Sequence, residues 1–159
     1  MLKGQGEKSL FSPSLDQFLL ENQDKKIVFT NGCFDLLHRG HVTYLNEARS
    51  LGDLLVVGIN SDRSVRELKG NSRPVNQQDD RKFVLENLKA VSFVEIFDEE
   101  TPLNLILKVC PKVLVKGGDW PVEKIVGAKE VLASGGQVKT LTFVPGQSTT
   151  SIISKILSL

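Results

Sequence analysis

Lys26-Ile27-Val28-Phe29-Thr30-Asn31-Gly32-Cys33-Phe34-Asp35-Leu36-Leu37-His38-Arg39-Gly40-His41 is the stretch whose reading decides the fold. Its first five residues form a near-continuous apolar run rather than an alternating one, which predicts a strand covered on both faces. A polar turn follows, and a helix starting near Gly40 places His41, Leu45 and Ala48 on one face at i, i+4 and i+7. That face looks toward the sheet, so His41 stands at its top edge. Both histidines of the chain lie here, three residues apart. Open α/β sheets bind ligands outside the carboxyl ends of their strands, and helix N-termini favour negative charge. Two imidazoles at such a place suit a phosphate group. The competing reading is a structural histidine that satisfies local backbone groups; a metal site lacks a third ligand cluster.

Outward from this stretch, apolar strand-like runs at 26–30, 54–60, 92–97, 112–116 and 138–144 alternate with helix-like segments. The helices are expected at 41–50, 79–89, 102–109, 122–134 and 149–157. The alternation predicts a Rossmann-like α/β three-layer sandwich on a five-stranded, mainly parallel sheet, with right-handed crossovers. Ser12-Pro13 reads as an N-cap followed by proline at the first helical position, opening a short helix through Leu15, Phe18 and Leu19. Residues 1–25 are thus expected to form an arm, frayed over residues 1–8, and 26–159 a single domain. The polar stretch from Asp62 to Asp80 breaks the pattern and is long for a βα connection, so it reads as a lid or substrate loop.

The bulk numbers exclude several classes. A chain of 159 residues holds one domain's core without staples, and a formal net charge of +1 gives no footprint for nucleic acid or an acidic membrane. Cys33 and Cys110 are the only cysteines and lack CxxC spacing, which fits reduced thiols. With no apolar span and no signal-peptide core, a soluble cytoplasmic protein is expected. Neither GxGxxG after the first strand nor GxxxxGK[ST] is present, so a nicotinamide site and a P-loop are unsupported.

Further candidate groups gather around the first loop. Gly32 lets the backbone turn beneath a phosphate, and Gly40 removes a side chain where a nucleotide could lie. Lys69, Arg73 and Arg81 follow the second strand and Lys116 ends the fourth. Arg81 shares a helical face with the core residues Leu85 and Leu88, which points to a functional charge rather than a solvated one. Lys116-Gly117-Gly118-Asp119-Trp120 suits close contact with a base or ribose, or is an ordinary tight turn. Ser148-Thr149-Thr150-Ser151 supplies more hydroxyls than one cap needs and, with free helix N–H groups, could cradle a second phosphate. A plain cap is the alternative.

Asn31 to His41 resembles the first signature of the HxGH nucleotidyltransferase superfamily, in its cytidylyltransferase-like branch. Asn60-Ser61-Asp62, Lys69-Gly70, Arg73-Pro74-Val75, Asp80-Arg81, Val115 to Trp120 and Ser148-Thr149-Thr150 extend the resemblance in order from about Asp16 to the end. Within it the chain is most similar to the D-glycero-β-D-manno-heptose 1-phosphate adenylyltransferases of the ADP-heptose pathway, here expected as a stand-alone unit without a fused sugar kinase. The resemblance implies transfer of AMP from ATP to the heptose 1-phosphate, giving ADP-heptose and pyrophosphate for lipopolysaccharide. It implies His38, His41, Lys69 and Arg81 as catalytic groups. Nucleotide would be bound through Asn31, Gly32, Cys33, Phe34, His38, Gly40, His41, Lys116, Gly117, Asp119, Ser148 and Thr149, and sugar phosphate through Asp35, Lys69 and Arg73. Mg²⁺ held mainly by substrate phosphates and a homodimer are also implied. Alcohol-phosphate cytidylyltransferases carry Arg-Thr-x-Gly before the last hydroxyl cluster, where this chain has Phe143-Val144-Pro145-Gly146. That departure weighs against a CTP-dependent enzyme acting on glycerol 3-phosphate or a phosphoamino alcohol, and leaves neutralisation to Lys69, Arg73 and Arg81. A non-catalytic nucleotide-binding module is the reading from another class.

Overall fold

The computed structural model describes residues 11–159, so the expected fraying of residues 1–8 lies outside the described residues. Five strands form one sheet in the order β3-β2-β1-β4-β5: β1 Ile27–Gly32, β2 Leu54–Asn60, β3 Phe93–Phe97, β4 Val113–Gly117 and β5 Gln137–Leu141. Every neighbouring pair is parallel, with Ile27 opposite Leu54 and Val28 opposite Val113. The sheet is therefore wholly parallel, and the Rossmann-like α/β architecture read from the alternation is the one present.

Among the described residues seven α-helices complete it: α1 Pro13–Glu21, α2 Arg39–Arg49, α3 Asp62–Lys69, α4 Gln78–Glu86, α5 Leu103–Val109, α6 Ala128–Ala133 and α7 Thr149–Leu157. Alternation along the strands sends their side chains to two cores. Val28, Val57, Val113 and Val115 pack with Tyr44 and Leu45 of α2 and Leu85 of α4. Phe29, Val56 and Leu114 pack on the other face with Leu15 of α1, Leu105 and Ile106 of α5 and Val131 of α6. A buried 2.6 Å hydrogen bond between Tyr44 and Thr30 fixes α2 against β1. Burial pushes the Tyr44 hydroxyl up to about 12, so it stays protonated. At the far edge, the Ser12 N–H and hydroxyl donate to the buried Glu95 carboxylate at 2.9 and 2.7 Å, anchoring the capped start of α1 to β3.

Three elements differ from expectation. Residues 62–69 are helix, capped by the Ser61 hydroxyl, which accepts from Ser64 N–H, and ended by Gly70 at φ 93°. Of the expected loop only residues 70–77 are irregular, since α4 begins at Gln78. The helix expected over 122–134 is split into a 3₁₀ turn at Val122–Lys124 and α6, because Gly127 sits at φ 82° between them. The last strand ends at Leu141 rather than 144, which frees Phe143 for the role described below.

Candidate active site at the strand ends

β1 leads into the histidine tetrapeptide that opens α2, and the start of α7 packs beside it through Gln147 and Thr149. His38 is the N-cap of α2: its Nδ1 accepts the Gly40 N–H at 3.1 Å. That bond places the neutral ring's proton on Nε2, so His38 presents a donor away from the helix. The His41 ring stacks on it at 3.9 Å between centroids and an angle of 28°, with Phe34 5.3 Å away on another side. Gly40 lies beneath the pair. A Cβ there would come within 2.9 Å of the His38 ring and 3.0 Å of Gln147 Cβ, so it is the histidine and the last loop, not open space, that exclude a side chain.

His41 Nδ1 is buried with no hydrogen-bond partner, alone in this among the described residues. Burial, reinforced by the neighbouring His38, pushes the His41 pKa down to about 4, and burial lowers His38 as well. The site therefore holds two neutral imidazoles at pH 7. The sign of the consequence follows by linkage. Between pH 6.5 and about 4 the unfolded chain takes up a proton on residue 41 that the folded chain refuses, so stability is full above this window and falls through it. Thermal unfolding followed from pH 7 to 4 is expected to show that decline, and His41→Asn to flatten it.

Two of the candidate residues have another job. Arg81 is only 1 % exposed. Its guanidinium donates to the carbonyls of Asn76 (3.0 Å), Cys33 (2.6 Å) and Asn60 (2.8 Å) and to the Asp62 carboxylate (2.8 Å). A fork that meets four acceptors braces the loop after β1, the end of β2, the start of α3 and the segment before α4 against one another. Asp35, expected to face the sugar phosphate, is buried instead under the segment that follows Gly70. It accepts from Val75 N–H and Asn76 N–H at 2.9 Å and from Arg73 Nε at 2.7 Å. Burial works against its charge, but those donors outweigh it and hold the carboxyl below the usual range. Arg73 is thereby paired, while Lys69 at the end of α3 is exposed.

The remaining candidates fall into three groups. The Phe34 backbone turns at φ 45° and its ring is buried in the core, so only its main chain can face a ligand. The Cys33 thiol sits 3.8 Å from Asn60 Oδ1, and burial pushes its pKa up, which suits a filler rather than a nucleophile. At the twin glycines, the tip of the Phe143 ring occupies the shelf expected for a base: a Cβ on Gly117 would meet it at 2.5 Å. The same loop is tied down again where Thr149 Oγ1 donates to Leu36 C=O at 3.0 Å. Ser148 caps α7, its hydroxyl accepting from Ser151 N–H at 3.0 Å. Both hydroxyls thus carry structural bonds, and the anion-binding capacity of this corner lies in the free first-turn N–H groups. Asn31 and Lys116 are half-buried, Gly32 flanks Phe34, and Asp119 is exposed beside Gly118. Among the described residues no three His, Cys, Asp or Glu groups converge as a metal cage, and no helix is long and apolar enough to cross a membrane.

The fold and this site define a Rossmann-like α/β domain whose strand ends meet a histidine-capped helix. The chain belongs to the cytidylyltransferase-like family of nucleotidyltransferases, whose model matches residues 29–155. It is 56 % identical over 142 residues to the bifunctional protein HldE of Campylobacter concisus, covering 89 % of this chain and 29 % of that protein. To HldE of Shewanella sediminis it is 51 % identical over 158 residues, covering 96 % and 33 %. The chain thus spans about a third or less of the length of these relatives. Among solved structures, a lipopolysaccharide core biosynthesis protein from Thermoplasma volcanium is similar at TM-score 0.58 and 29 % identity, over 76 % of this chain and 97 % of that one. Pantothenate synthetase from Thermus thermophilus, at TM-score 0.58 and 15 % identity over 82 % of this chain and 60 % of that one, shares the fold.

Proposed function

We propose that this domain transfers AMP from ATP to D-glycero-β-D-manno-heptose 1-phosphate, releasing pyrophosphate and forming ADP-heptose in the cytoplasm. The observation that carries the reading is the stacked pair of neutral imidazoles, His38 and His41, at the start of α2. With its Nδ1 occupied by the Gly40 N–H, His38 turns an Nε2–H donor away from the helix, a suitable partner for a phosphate oxygen at a helix N-terminus. The relatives named HldE, the lipopolysaccharide protein of similar fold and the sequence resemblance support the choice of sugar.

The chemistry needs no general base, because a phosphate monoester is already largely ionised at pH 7. An oxygen of the sugar phosphate forms a bond to the α-phosphorus of ATP. The bond from that phosphorus to the bridging oxygen breaks, and the electron pair leaves with pyrophosphate. What the protein supplies is alignment and charge stabilisation. His38 and His41 donate to phosphate oxygens near the reacting centre, the first-turn N–H groups of α7 hold a second phosphate, and exposed Lys69 balances the triphosphate. Mg²⁺ arriving with ATP would take its ligands from phosphate oxygens and water, supplying further charge neutralisation.

Pyrophosphate release measured with ATP and CTP against a panel of sugar 1-phosphates and glycerol 3-phosphate tests the reading. Turnover is expected with ATP and the heptose 1-phosphate. Preference for CTP with an alcohol phosphate would overturn it, as would binding of nucleotide without any turnover.

A further inference from the structure

We propose that the cavity on the face of the sheet opposite the histidines is the acceptor subsite, with Lys116 and Lys124 on the sugar's phosphate and Trp120 against its ring. This rests on the adenylyltransferase reading, moves Lys116 from the nucleotide, where the resemblance puts it, to the acceptor, and assigns the second substrate a place other than the Asp35–Arg73 corner, which is closed by its own hydrogen bonds.

The placement follows from strand alternation. Val113 and Val115 point into the core under α2, so Leu114 and Lys116 point to the other face; Asn31 likewise follows Phe29. There Asn31, Leu114, Lys116, Trp120, Lys124 and Ile125 line a cavity of about 260 Å³. Because β1 and β4 are neighbours, Asn31 and Lys116 of its lining stand at the end of the sheet from which the chain leads into α2. Two substrates entering from opposite faces can approach one phosphorus from opposite sides, as in-line displacement requires.

The lining chooses the ligand. An apolar floor with a few placed polar groups is the usual composition of a small-molecule site. The volume lies just below the range of about 300–1,000 Å³ typical of drug-sized ligands, which suits a monosaccharide phosphate and is too small for a nucleoside triphosphate. Lys116 is half-buried, and among the described residues neither it nor Lys124 has an ion-pair partner. A half-buried ammonium without a counter-charge is costly, and an anionic ligand removes that cost. Burial also lowers the Lys116 pKa, as expected of an ammonium lacking an anion. Trp120, 52 % exposed, offers an apolar face and an N–H to a hydroxylated ring. The larger cleft of about 640 Å³ beside α3 is less suited, since its Arg63 is already bonded to Asp98 and Glu67 and its Asp62 to Arg81.

Trp120 is the sole tryptophan of the chain, so its fluorescence reports on this cavity directly. The protein, with and without the α,β-methylene analogue of ATP, is titrated with heptose 1-phosphate, unphosphorylated heptose and inorganic phosphate. A saturable change is expected with the sugar phosphate, and a much weaker response with either fragment. Lys116→Met and the exposed Lys124→Met should each raise the Kd and the KM for sugar phosphate about ten- to hundredfold, with the KM for ATP within about threefold of wild type. A response to the ATP analogue but not to the sugar phosphate would overturn the assignment. So would a rise in the KM for ATP in these variants, or inorganic phosphate binding as tightly as the sugar phosphate. The titration needs no turnover. Loss of adenylyl transfer with sugar-phosphate binding intact would refute the function and keep the cavity; turnover with a silent Trp120 would do the reverse.

Discussion

Replacing His41 by alanine is expected to lower the rate of pyrophosphate release by about 10²–10³, the effect of removing one preorganised donor from a developing phosphoryl charge. The magnitude follows from where the ring is held. It is stacked on His38 and kept neutral by burial. A donor already desolvated and already oriented gives its full interaction to the transition state, with no reorganisation at the moment of reaction. The loss should fall mainly on kcat, because the rest of the triphosphate keeps its contacts. Leu45 and Ala48 carry the packing of α2, so the alanine variant should still fold, which thermal unfolding at pH 7 would check. Unaltered turnover in a folded variant would remove the histidine pair from the mechanism and favour a domain that only binds nucleotide.

Much of the fold was readable because parallel strands covered on both faces are written as short apolar runs, and β1 to β4 lie within two residues of those runs. The failures have local causes. Helix α3, Asp-Arg-Ser-Val-Arg-Glu-Leu-Lys, offers too few apolar residues for a period to show; its legible signals were the cap at Ser61 and the glycine at 70. Phe143 and Val144 extended the apparent fifth strand, although Phe143 serves a tertiary contact on Gly117 that no local pattern encodes. At the site, the histidine tetrapeptide stood out because both imidazoles of the chain are there. The cavity lining did not: Lys124 belongs to a 3₁₀ turn that reads as a helix interior, and Trp120 looked like the end of a tight turn. Arg81 shows where periodicity stops being informative. A charge on a core-facing helical position does signal something unusual, but periodicity cannot say whether its partners are ligand or main chain.

That distinction sets the largest expected effect on stability. Arg81→Met is expected to destabilise the fold by about 3–5 kcal/mol, the range for breaking a buried ion pair by removing one partner. The carbonyls of Cys33, Asn60 and Asn76 and the carboxylate of Asp62 would all lose a donor, in a place water reaches poorly. For a chain of this length the midpoint of thermal unfolding should fall by about 10 °C. Arg81→Lys should recover only part of this, because an ammonium cannot span acceptors arranged for a planar fork. Activity should fall further than stability alone explains. The Cys33 carbonyl belongs to the loop that delivers Phe34 and His38, and the Asn76 carbonyl to the segment pinned on Asp35, so releasing the guanidinium loosens both sides of the crevice. Assayed well below its own melting point, a folded Arg81→Lys protein should therefore show reduced kcat with His41 titrating closer to 6.5 by NMR as water enters. Wild-type kinetics in that variant, with His41 still near 4, would show that the brace supports only the fold.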